Sequence, residues 1–114
     1  MKNSDLNQQE LVQNTQRLSN LNKDLETTYY MGQEKETHTM GKLRDLLLQM
    51  NGFMKAIIAL SKETFLEKKA LQLEKKFIHL SQGIESGDIH IQINRKRFKD
   101  FKKEIDAFLD TIQS

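Results

Sequence analysis

The chain has 114 residues with no cysteine, no proline and only 5 glycines; 37% are hydrophobic and 30% charged, and the formal net charge is +2. These figures exclude a disulfide framework and a thiolate metal site, leave helices free to run long, and allow one modest core within a single domain over 1–114. So small a net charge does not by itself point to nucleic acid, and the cysteine usage predicts a reducing, cytoplasmic setting.

The opening residues, Met1-Lys2-Asn3-Ser4-Asp5, hold no apolar stretch of signal-peptide type, and no apolar run nears the ~20 residues that span a bilayer. No membrane insertion is expected. Between Asp5 and Tyr30, Leu11, Leu18 and Leu25 recur every seven residues, with Leu21 between them and Thr15 and Thr28 near the remaining seam positions. This thin stripe predicts a polar N-terminal helix within 1–31, frayed at its start, capped by Ser4 or Asp5 and in need of a partner to pack against.

Gly32 closes that segment, and 32–39 carry no apolar residue, as a solvated connection requires. The central segment, 38–82, opens with Leu43, Leu47, Met50, Met54 and Ile57 at spacings of four and three, a full helical seam. Leu46, Leu48, Phe53, Ile58 and Leu60 broaden it, which predicts cover on more than one side and a place at the centre of the fold. Gly52 costs about 1 kcal/mol of helix propensity relative to Ala, and a close helix crossing would explain it. Leu43, Leu47, Met50, Phe53, Met54 and Ile57 form the candidate partner-binding set, because methionine and phenylalanine make an adaptable surface; a plain core role competes with it.

Two matching heptads follow, Leu66 to Gln72 and Leu73 to His79, giving a seam of Leu66, Ala70, Leu73, Phe77, Leu80 and Ile84. The step from Ile57 to Leu66 is about two and a half turns, so the two seams face opposite ways in a continuous helix. Either the chain turns near 61–64 into a helical hairpin, or one long rod shows each half to a different partner. The absence of Gly and Pro from Ser61-Lys62-Glu63-Thr64 favours the rod.

Gly83 and Gly87 then mark a break. Ile89, Ile91 and Ile93 alternate with His90 and Gln92, a period-two pattern that predicts one short extended segment over 89–93, laid as a strap or paired across a two-fold axis. The last helix is expected over 95–113, capped by Asn94, with Phe98, Phe101, Ile105, Phe108, Leu109 and Ile112 on one stripe.

Nothing in this order suggests an enzyme. His38, His79 and His90 lie in separate segments without metal-ligand spacing, there is no phosphate loop or nucleophile motif, and no cofactor is expected. The fragment His38-Thr39-Met40-Gly41-Lys42 is similar to that of histidine phosphotransfer domains, four-helix bundles whose phospho-accepting histidine precedes a Lys-Gly pair. Here the pair is reversed as Gly41-Lys42, and no family is assigned.

One stretch opposes what folding alone favours. Arg95, Lys96, Arg97, Lys99, Lys102 and Lys103 open the last helix, where the macrodipole favours acids by about 0.3–1 kcal/mol each, and Glu104, Asp106 and Asp110 come last. These six are the candidate anion-binding residues, against the plainer reading of a solvated face over buried phenylalanines. The sequence therefore predicts an all-α antiparallel bundle or coiled coil of three to four helices, self-associating. It would act as a protein–protein interaction module: an adaptor, assembly factor or secretion-type chaperone. The alternatives are a nucleic-acid-associated or regulatory protein using the basic segment, and a structural component of a larger particle.

Overall fold

A computed structural model describes the backbone of residues 2–31, 36–86 and 91–113, and side chains within 8–31, 39–86 and 94–113. Its four helices are α1 (Lys2–Met31), α2 (Glu36–Ser61), α3 (Glu67–Glu85) and α4 (Ile91–Gln113). Each helix packs on its two neighbours in the ring α1–α2–α3–α4, most extensively within the pairs α1/α2 and α3/α4. Every neighbour is antiparallel: Arg17 meets Phe53, Lys69 reaches Thr111, Phe77 meets Phe101, and Asn94 reaches Tyr29.

The core is a heptad structure repeated on all four helices. Leu11, Thr15, Leu18, Asn22, Leu25 and Tyr29 are buried on α1, and Leu43, Leu47, Met50, Met54, Ile57 and Ser61 on α2. Leu66, Ala70, Leu73, Phe77, Leu80 and Ile84 follow from the end of the turn through α3, and Asn94, Phe98, Phe101, Ile105, Phe108 and Ile112 line α4. All four sets step by four and three, so the antiparallel register stacks them in layers of four, one residue from each helix. Small and large side chains share layers: Thr15 and Ala70 lie level with Phe108, and Asn22 with Phe77 and Phe101. Complementary volumes of this kind keep a bundle core dense.

The chain turns between α2 and α3. A continuous helix over 36–85 would be about 75 Å long, yet the longest dimension of the fold is 51 Å. Side-chain hydrogen bonds do the work expected of a glycine or proline. The Thr64 amide and hydroxyl both donate to the Ser61 carbonyl, at 3.0 and 2.6 Å, and the Leu66 amide donates to the Thr64 hydroxyl at 3.1 Å. Glu63 takes a left-handed φ of 65° while its amide donates to the Glu67 carboxylate at 2.9 Å. The expected rod is thus replaced by the hairpin, which lets two opposed seams face one core.

Other expectations change as well. The backbone at 91–93 is helical, not extended, because Ile91 opens α4; Ile89 and His90 lie outside the described residues. Asn94 is consequently no cap but a core residue with 0% exposure, whose amide donates to the Tyr29 hydroxyl at 2.6 Å. Ser4 and Asp5 lie inside α1, and Glu36 starts α2 within the stretch read as a connection. On α1 the core takes Asn22 and Tyr29, leaving Leu21 and Thr28 half-buried. α2 is one of four equal members and not a central helix: Leu48 is 70% exposed, and Gly52 faces solvent with nothing within 4 Å of an added Cβ. The close crossing is at Gly83 instead, where such a Cβ would lie 2.0 Å from Arg97 Nη1 and 2.6 Å from Asn94 Oδ1. The helix does not stop there but runs on to Glu85.

Candidate functional site

The folded chain turns most of the expected partner-binding set inward. Leu43, Leu47, Met50, Met54 and Ile57 are core residues facing the other three helices, so in the closed bundle they contribute packing. Phe53 is half-buried beside that core with the Arg17 guanidinium 5.9 Å from its ring centroid.

The basic segment is split differently. α4 begins with Ile91, Gln92, Ile93 and Asn94, which puts Arg95 to Lys103 beyond the first turn, where the macrodipole has largely decayed. Arg95, Lys96, Lys99, Lys102 and Lys103 are exposed, with the Arg95 guanidinium 5.6 Å from the Tyr30 ring centroid. Arg97 is half-buried over Gly83 and its Nη1 donates to Asn94 Oδ1 at 3.4 Å. Among the described residues, no lysine or arginine nitrogen lies within 4.0 Å of a carboxylate, so these cations keep their charge unpaired. Phe98 and Phe101 are fully buried and unavailable for stacking on bases.

Two grooves on the outside are formed by described residues. One, of about 420 Å³ between α1 and α2, is lined by Asp24, Lys42 and Asp45 together with Leu46. The other, of about 460 Å³, runs between α2 and α3, which pack least closely of the four neighbouring pairs. Its walls place Leu48 and Ile78 on opposite sides, with Arg44 and Glu85 at one end. Leu71 lies two turns along α3 from Ile78, and both are 44% exposed. These three apolar residues each follow a core residue by one position, which points them outward from the side of the bundle.

Sequence reasoning placed Leu48 in the core and passed over Leu71 and Ile78. The available signal is an apolar residue one step beyond a seam position, with a lysine before the pair and a polar residue after it, as in Lys69-Ala70-Leu71-Gln72 and Lys76-Phe77-Ile78-His79. Of the histidines, His38 lies in the first turn of α2 with its side chain outside the described residues, His79 is exposed, and His90 is not described. Among the described residues there is no cluster of three or more His, Cys, Asp or Glu that could hold a metal ion, and no helix long and apolar enough to cross a membrane. Comparison with protein-family models, with curated proteins and with solved structures finds no match to this chain.

Proposed function

We propose that the protein is a non-enzymatic protein–protein interaction module whose contact surface is the α2–α3 face. The observation that carries this reading is the pair Leu48 and Ile78, exposed on the two walls of one groove while every core layer is already filled from within the chain. An adaptor or assembly factor fits such a surface, as does a chaperone that holds an amphipathic helix, because apolar anchors in a groove supply binding energy and flanking charges supply orientation.

A photo-crosslinking residue placed at Ile78, with one at exposed Asn20 on α1 as control, tests it in extracts of the native host. Discrete protein adducts at 78 and none at 20 are expected. Equal labelling at both positions, or none at either, would remove the α2–α3 face as the contact surface.

One observation favours a second reading, binding of nucleic acid by α4: five exposed cations with no carboxylate partner. Replacing Lys96, Lys99 and Lys103 by Glu distinguishes the two. A phosphate-binding surface loses affinity steeply with added salt and loses it further in the triple variant. An apolar groove contact between α2 and α3 responds only weakly to salt and not to the triple variant.

A further inference from the structure

The edges of the α2–α3 groove differ in sign. The residues that directly follow the core positions of α2 are Arg44, Leu48, Asn51, Lys55 and Ile58, with Lys62 in the turn; this edge has three bases and no acid. On α3 the equivalent residues are Glu67, Leu71, Glu74, Ile78, Ser81 and Glu85, with three acids and no base. Antiparallel packing sets the opposite charges at matching heights, Arg44 by Glu85 at one end and Lys62 by Glu67 at the other, with Leu48 level with Ile78. No pair among them closes within 4.0 Å in the chain itself. The face is therefore apolar along its groove, divided in charge across it, and without an ion pair of its own.

Such a face is complementary to itself in one orientation only. A two-fold axis parallel to the bundle lays α2 of each copy against α3 of the other at the same height. Leu48 then meets the partner's Ile78, and Arg44 meets the partner's Glu85, each contact formed twice. An axis perpendicular to the helices would instead set α2 on α2 and α3 on α3, joining like charges, which costs specificity and affinity. Asp45, Lys68 and Lys75 lie one position further round each helix, at the rim of the contact.

We infer that the occupant of the α2–α3 face is a second copy of this chain, docked about the two-fold axis parallel to the bundle. This rests on the reading of that face as the contact surface and names its partner. Sedimentation of the purified full chain is expected to give twice the 13.4 kDa monomer mass. Ile78→Asp places a charge at the middle of the contact on an exposed position and is expected to give a monomer of unchanged helicity.

Charge reversal supplies the test specific to the axis. Arg44→Glu and Glu85→Arg each create two like-charge contacts, so each variant alone is expected to dissociate about tenfold more readily. Mixed in equal amounts they restore both opposite-charge pairs, and a mixed dimer of wild-type affinity forms. No intrachain role of Arg44 or Glu85 can produce that recovery.

A monomeric wild-type chain up to near-millimolar concentration overturns the inference, as does a dimer that survives Ile78→Asp or a mixture no tighter than its components. If the purified chain is monomeric yet position 78 still captures another protein in extracts, the docking reading stands and the self-association falls. If position 78 captures nothing, both fall.

Discussion

Gly83 is the position where a single methyl group tests the packing of α3 on α4. Alanine in place of glycine inside a helix gains about 1 kcal/mol from propensity alone. At Gly83 that gain meets two atoms, Arg97 Nη1 at 2.0 Å and Asn94 Oδ1 at 2.6 Å from the new Cβ. The guanidinium ends a flexible side chain and can swing aside toward solvent. Asn94 cannot, because it is fully buried and its amide is held by the Tyr29 hydroxyl at 2.6 Å. Displacing it breaks a buried hydrogen bond, at about 1–3 kcal/mol, and overpacks the last layer for about 1–3 kcal/mol more. The balance is a net loss of about 1–5 kcal/mol in Gly83→Ala, which for a chain of this size lowers Tm by roughly 4–8 °C per kcal/mol. Thermal melting followed by circular dichroism measures it. Gly52→Ala is the matched control: with nothing within 4 Å it keeps the propensity gain and should melt higher by the equivalent of about 1 kcal/mol. If Gly83→Ala melts as high as Gly52→Ala, the close approach of α3 and α4 at Gly83 is refuted.

Two further substitutions probe features the fold carries at a cost. Asn22 is buried with its Oδ1 unpartnered, so Asn22→Leu should raise unfolding free energy in urea by about 1–3 kcal/mol, and an unchanged midpoint would contradict its burial. Glu63 holds φ at 65°, which glycine adopts without steric penalty; Glu63→Gly should stabilise by about 0.5–1 kcal/mol, and a clear loss would mean that the turn depends on the side chain and not the backbone.

The apolar seams of α2, α3 and α4 are legible because four-and-three spacing sustained over four turns or more is a strong signal, and all of their apolar seam residues except the half-buried Leu109 are core. What could not be read was the polar fraction of the same seams. Thr15 reads in the sequence as a weak point of its seam, while Asn22, Ser61 and Asn94 carry no hydrophobic signal. Their burial depends on what the neighbouring helices bring to the layer. Asn94 also matches a capping residue, since capping chemistry is local, but α4 already starts three residues earlier, at Ile91. The hairpin was hidden for a similar reason: its stop signal is Thr64 bonding back to Ser61 around a glutamate with positive φ, not a glycine. The outer face was the least legible. Whether Leu48, Leu71 and Ile78 belong to a core or to a surface is decided by which helix lies beside which, and spacing along one helix does not contain that.

The composition of the α1 seam has a consequence for how the bundle opens. Every second core position on α1 is Thr15, Asn22 or Tyr29, whereas α3 fills all six of its positions with apolar side chains. A buried leucine contributes about 1.5–3 kcal/mol of transfer free energy that threonine or asparagine does not. Partial unfolding should therefore begin with α1 leaving as a unit, its amides exchanging with deuterium faster than those of α3 and α4. The three helices left behind would bare Met50 and Met54, so the cooperative unit that comes off first is also the cover over the softest part of the interior.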